Sequence, residues 1–165
     1  MMDNDVDIRE MSDADLAWAQ ILVDDLLGSR LQARMDELID VLSLPGLVAE
    51  YNGEASALLT YRKGSDAVEI VAICSTVPRC GKALIDALKL RFATMSIWLV
   101  TTNDNHRALR SYQRQGFAVI ETRKGAVARA RRLKPSIPLV GQGGIPMQDE
   151  LVLRYEPGDA RATGG

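Results

Sequence analysis

Tyr112 follows Asn105 by seven residues, close to two turns of an α-helix, so in a helix the two side chains share one face. Ala108, one turn beyond Asn105, leaves that face open to an approaching molecule. A phenol with its ordinary pKa of about 10 is a general acid for a basic leaving group. The competing reading makes Tyr112 an anchor at the edge of the core. Other reactive types are less well placed. A thiol nucleophile needs an adjacent histidine or cation; only Arg79, beside Cys80, meets that need, and both Cys74 and Cys80 read as structural. Two cysteines are too few for a disulfide scaffold or a four-thiolate zinc site, so no metal is expected. His106, the single histidine, stands where a helix begins and its imidazolium is disfavoured, and it reads as a solvated surface group. Gly141-Gln142-Gly143-Gly144 lacks the Gly-Lys-Ser/Thr continuation of a phosphate cradle and reads as a plain loop.

Elements must position these residues. Residues 6–9 alternate like a short strand. Ser12 is a helix N-cap with Asp13 and Asp15 in the first turn, and Leu16, Ala19, Val23, Leu26 and Leu27 recur at helical spacing until Gly28. Leu31, Met35, Leu38, Ile39 and Leu42 predict a second amphipathic helix over 29–44, ended by Pro45. Strands over 47–51 and 55–61 flank Asn52-Gly53, a type I′ hairpin signal, and 68–74 is a third strand after the turn at Gly64-Ser65-Asp66. A helix is predicted over 81–95 and a buried strand over 97–101. The helix of Asn105 and Tyr112 runs over 105–115, closed by Gly116, and strands over 117–122 and 150–156 complete the sheet. Between those last strands, residues 125–148 open with a basic, Ala-rich stretch suited to a short helix and continue as a Pro- and Gly-rich loop of functional or mobile character. The order β-α-α-β-β-β-α-β-α-β-β predicts a single α/β (α+β) domain over 1–157 and a flexible tail over 158–165.

The 165 residues are 47% hydrophobic and 25% charged, an ordinary globular balance with enough chain to bury a core without metal or disulfide. The acidic opening over 1–7 does not read as a signal peptide, and no apolar run approaches the roughly 18 residues of a membrane span, so the expectation is a soluble, cytoplasmic protein with no membrane partner. Net charge is −2 but unevenly spread: residues 1–50 hold twelve acids and three bases, residues 107–134 nine bases and one acid, Glu121. The asymmetry fits a positive surface for an anionic, phosphate-bearing ligand; solvated helix faces read the same way. Stacking of single-stranded nucleic acid is not specifically indicated.

Over 68–117 the element order and the residues resemble the GNAT superfamily of N-acetyltransferases. The most specific part is Thr101-Thr102-Asn103-Asp104-Asn105 followed by Ala108, Tyr112 and Gly116-Phe117 at the family's intervals. Residues 125–146 are similar to a bacterial subgroup, and the resemblance covers most of the chain. It implies a GNAT-like mixed, mostly antiparallel sheet of six to seven strands with helices on both faces. It also implies an acyltransferase that moves an acetyl group from acetyl-CoA, as co-substrate, to a primary amine by direct attack in a ternary complex. The implied roles follow residue by residue. Tyr112 protonates the departing thiolate; Asn105 and Ala108 border the pantetheine arm. The main chain of Ile73, Cys74 and Ser75 pairs with the pantetheine amides, and one of its N–H groups holds the oxyanion. Glu69 is a candidate base acting through water, with an edge or surface carboxylate as the competing reading. The family holds the pyrophosphate on a Gln/Arg-x-x-Gly-x-Gly/Ala turn at a helix N-terminus. The chain reads Thr76-Val77-Pro78-Arg79-Cys80-Gly81-Lys82 there: only Gly81 remains of the glycines, and the turn is about two residues short. Arg79, Cys80, Gly81 and Lys82 are the candidate phosphate contacts, the two cations offsetting lost N–H groups by charge.

Two alternatives stay open. The shortened turn is compatible with a GNAT-fold binding or sensor module of weakened catalysis, and the basic run over 123–134 with a GNAT enzyme acting on a tRNA-linked amine. The acceptor would meet the variable segments over 29–44 and 125–148, where Asp36, Glu37 and Asp40 could attract a cationic amine. The resemblance is also compatible with a homodimer.

Overall fold

The computed structural model describes residues 5–158; the tail expected over 158–165 lies, but for Gly158, outside the described residues. In chain order the elements are β1 (Val6–Glu10), a 3-10 turn (Asp13–Asp15), α1 (Leu16–Leu27), β2 (Leu31–Arg34), β3 (Glu37–Asp40), β4 (Gly46–Tyr51), β5 (Glu54–Lys63) and β6 (Ala67–Ser75). They continue with α2 (Pro78–Arg91), β7 (Ser96–Thr102), α3 (His106–Arg114), β8 (Ala118–Arg123), α4 (Ala126–Leu133) and β9 (Glu150–Tyr155). Seven strands form one sheet in the order β1-β4-β5-β6-β7-β9-β8. Every neighbouring pair is antiparallel except β6 and β7. The α/β class and the mostly antiparallel seven-stranded sheet are as expected.

Alternation along the strands builds a core on each face. On one side Leu47, Leu59, Ile70, Ile97 and Leu153 meet Leu84, Ile85 and Leu88 of α2. On the other, Val48, Leu58, Ala72 and Cys74 meet Ala19, Leu22 and Val23 of α1. The Asn52-Gly53 turn joins β4 to β5 with φ of +53° and +84°, the left-handed pair that a type I′ turn requires.

The entry to α1 is fastened electrostatically. The two terminal guanidinium nitrogens of Arg9 donate to the Asp15 carboxylate at 2.8 Å, and the Ser12 N–H donates to it as well. Arg9 holds the buried Asp15 carboxyl down at about 2, against an ordinary value of 3.8. A depressed folded-state pKa gives stability that is present above the unfolded value and is lost as pH falls toward 2. Because Arg9 is partly exposed, we expect about 1–2 kcal/mol from this pair at neutral pH. Denaturant titrations at pH 7 and near pH 2.5 should therefore show an acid loss that is smaller in Asp15→Asn by that amount.

The helix expected over 29–44 is instead the β2–β3 hairpin, followed by a 3-10 turn at Val41–Ser43. Its two turn residues, Met35 and Asp36, have φ of +53° and +62°. Non-glycine residues accept that conformation only when the surroundings hold them. Here the Met35 N–H donates to the Glu150 carboxylate, and Asp36 is ion-paired to Arg123 and Arg129. Contacts far along the chain thus override an apolar spacing that fits a helix.

β6 and β7 pair only from Ala67↔Ser96 to Ile70↔Leu99. Just beyond, Val71 is an extra residue opposite Thr60 and Tyr61 of β5, a bulge that bends and twists β6 away from β7. Residues 71–75 and 100–102 therefore diverge, and the sheet opens at its middle.

Candidate active site

The opening between β6 and β7 holds two adjoining cavities. The larger, about 1140 Å³, lies between the first turns of α2 and the length of α3; Ile73, Ser75, Gly81, Lys82, Asn105, Ala108 and Tyr112 line it. The smaller, about 360 Å³, lies on the side of α1, the β2–β3 hairpin and α4. Ile73, Asn105, Tyr112 and Gln142 line both, so the two cavities meet at these four residues.

Seven of the residues singled out from sequence are brought together in this way. Four are not lining residues. The Cys74 side chain is buried on the opposite face against α1, and Cys80 is buried in the core beneath α2. Arg79 is exposed on the first turn of α2. Glu69 corrects the expectation of a surface carboxylate: it is 2% exposed and ion-paired to both Arg34 and Arg62, the latter at 3.1 Å. β6 projects it away from α2, toward the hairpin, where it ties β2 to the sheet.

The turn before α2 is short, as the sequence indicates: only Thr76 and Val77 separate β6 from Pro78. Pro78 has no N–H, and the Cys80 N–H is spent on the Val77 carbonyl at 2.9 Å. Positive charge comes instead from side chains. Arg107, Arg110 and Arg114 of α3, at one-face spacing, line the larger cavity beside Lys82, whose ammonium is paired with Asp86 at 2.7 Å. Among the described residues these three arginines have no ion-pair partner. Gly81 lies over Ser75, where an added Cβ would meet the Ser75 Cβ at 3.7 Å, an ordinary contact.

Tyr112 packs edge-on against Phe117, with centroids 6.1 Å apart. Burial pushes its phenol up to about 12. Asn105, at the N-cap of α3, donates from its amide to Thr101 Oγ1 at 3.1 Å and accepts from the Gln142 amide at 3.2 Å.

Gln142 and its neighbours were not legible as site residues. The segment after α4 folds back on Asn103 and Asp104. Asn103 Oδ1 accepts from the Gln148 and Asp149 N–H groups, and Asp104 Oδ2 accepts from the Gln142 N–H at 2.9 Å. Gly141 permits this approach: a Cβ there would lie 2.0 Å from Asp104 Oδ2 and 2.8 Å from Met147 Cγ. Gly141→Ala should cost about 1–3 kcal/mol and free Gln142 from Asn105, read as a lower melting temperature and weaker ligand binding in the cleft.

Three of the six bases in the run over 123–134 are consumed inside the protein. Arg123 pairs with Glu150 and Asp36, Arg129 with Asp36, and Arg131 donates to the carbonyls of Ile137, Pro138 and Met147. The acids expected to draw a cationic amine are matched too: Asp36 as above, Glu37 by Arg34 and Arg62, Asp40 by Arg30.

No protein-family model matches the chain. It is 38% identical over 104 residues to the uncharacterized protein YxbD of Bacillus subtilis (strain 168); the match covers 60% of this chain and 65% of that protein. Among solved structures, a GNAT family acetyltransferase from Elizabethkingia anophelis with acetyl-CoA bound superposes with a TM-score of 0.69 at 19% identity, over 94% of this chain and 99% of that one. The IAA acetyltransferase from Bacillus cereus ATCC 14579 gives a TM-score of 0.68 at 17% identity, over 92% and 99% of the two chains. No helix among the described residues is long and apolar enough to cross a membrane. With its single parallel strand pair splaying at a bulge, and α2 and α3 flanking the opening, the chain has the fold of the GNAT acetyltransferases.

Proposed function

We propose that the protein is an N-acetyltransferase that moves the acetyl group of acetyl-CoA to an amine by direct attack in a ternary complex. The meeting of a long cationic cavity with a smaller one at Ile73, Asn105, Tyr112 and Gln142 carries this reading. The larger cavity fits a long, phosphate-bearing co-substrate, with Lys82, Arg107, Arg110 and Arg114 supplying the charge that the short turn before α2 does not. Acetyl-CoA brings the activated thioester. The diverging main chain of residues 71–75 offers ladder-free N–H groups for the pantetheine amides and the oxyanion, in the roles expected of Ile73, Cys74 and Ser75.

The amine nitrogen forms a C–N bond as the C–S bond breaks and its electron pair leaves on sulfur. An acceptor that arrives as an ammonium sheds two protons overall; one ends on sulfur through Tyr112 and the other goes to solvent. With its pKa near 12, Tyr112 keeps its proton through the neutral range and so acts as the acid. The departing sulfur becomes basic as the C–S bond breaks, and a neutral phenol beside it supplies the proton. Glu69 has no base role in this scheme, since both its oxygens face guanidinium groups.

Calorimetric titration with acetyl-CoA tests the reading. One-site binding that weakens with added salt is the expected result, because arginine and lysine carry the phosphate contacts. Absence of binding at millimolar acetyl-CoA overturns it.

A further inference from the structure

The smaller cavity describes its occupant. Its walls include Leu26 and Leu27 of α1, Ala33 of β2, Val127 and Ala130 of α4, and Met147 of the returning segment. At about 360 Å³ it is at the low end of small-molecule sites, which run roughly 300–1,000 Å³; these apolar walls face a polar side formed by Thr101, Thr102, Asp104, Asn105 and Gln142. Three charged residues line it: Arg34, Asp104 and Glu150. Arg34 is taken up by Glu37 and Glu69, so the cavity has no spare cation for a carboxylate. Glu150 is matched by Arg123 at 2.6 Å and by the Met35 N–H.

Asp104 differs from both. It is 4% exposed and accepts from the Thr102 hydroxyl and the Gln142 N–H, yet among the described residues it has no ion-pair partner. Its place just ahead of α3 puts it at the favourable end of the helix dipole. Thr102, to which it is bonded, pairs in register with Glu150, so the two carboxylates approach the cavity from one end of β7 and β9. A buried carboxylate with neutral donors and no counter-ion, facing a cavity, is a seat for a cation.

We propose that the acceptor is a compact monoamine, one ammonium on an apolar body without a carboxylate, and that Asp104 binds its ammonium. This rests on the acetyl-transfer reading above. A free amino acid finds no cation for its carboxylate in this cavity, and a polyamine finds no second unmatched acid.

The test titrates the protein, without acetyl-CoA, with benzylamine, benzyl alcohol, phenylalanine, spermidine and a short peptide with a free amino terminus. Benzylamine should bind at least about 10-fold more tightly than each of the others, the effect of one charge-assisted bond to a buried carboxylate. In Asp104→Asn the benzylamine and benzyl alcohol affinities should converge to within about 2-fold. Equal affinity for amine and alcohol in the unaltered protein overturns the proposal, as does preference for phenylalanine, spermidine or the peptide, or no binding of benzylamine. These arms use the unaltered protein and so stand even if Asp104→Asn folds poorly. Acetyl-CoA binding followed by acetylation of the peptide alone removes the monoamine class and leaves acetyl transfer intact. Failure to bind acetyl-CoA removes acetyl transfer itself.

Discussion

Tyr112→Phe is expected to lower kcat by about 10²- to 10⁴-fold while leaving acetyl-CoA affinity within about 2-fold. The substitution removes one oxygen and keeps the ring, so the edge-on contact with Phe117 and the packing of α3 on the core survive. What is lost is a protonated phenol at the point where the two cavities meet. The effect belongs in kcat because the departing sulfur becomes basic only as the C–S bond breaks. The raised pKa adds a second expectation. A phenol that titrates near 12 stays protonated across the working range, so the unaltered enzyme should show no alkaline fall in kcat below about pH 10. Steady-state kinetics with calorimetry on both proteins decide the matter; an unchanged kcat in the variant would make Tyr112 the core-edge anchor and no more.

Glu69→Gln should cost about 3–5 kcal/mol of stability, the usual consequence of removing one partner from a buried ion pair. Arg34, with a side chain 11% exposed, would keep Glu37 alone as its carboxylate, and Arg62 would lose its link to β6. The β2–β3 hairpin, a wall of the smaller cavity, would loosen from the sheet. Replacing Arg62, which is 41% exposed, should cost no more than about 1 kcal/mol, because solvent screens its partners. Denaturant unfolding of both variants provides the measurement. A Glu69→Gln protein of full stability whose kcat collapses with a shifted acid limb would return Glu69 to the role of base.

The strand and helix order from β4 to α3 was legible because each element carries its own punctuation. Asn52-Gly53 marks the hairpin, Gly116 closes α3, and the apolar alternation of β5 and β6 matches the two faces they bury. Asn105 and Tyr112 were legible for the same local reason, since a seven-residue spacing on one helix sets a common face. The hairpin over 31–40 was not. Leu31, Met35, Leu38 and Leu42 fit a helical period equally well. What holds the chain in two strands is Glu69, Arg62, Glu150, Arg123 and Arg129, all distant in sequence.

The basic run over 123–134 shows the same division. As sequence it is an unclaimed positive surface; folded, Arg123, Arg129 and Arg131 are fasteners for the turn at Asp36 and for the segment after α4. The cations left unmatched along the larger cavity are the three arginines of α3, Lys82 being paired with Asp86. Local sequence determined the strands and helices from β4 to α3, and which helix face presents Asn105 and Tyr112, because those depend on periodicity and capping within a few residues. The tertiary structure alone decided which charges are matched, that Gly141 lets Gln142 reach Asn105, and that Asp104 is left without a counter-ion, because an ion pair depends on which distant side chain the fold brings within reach.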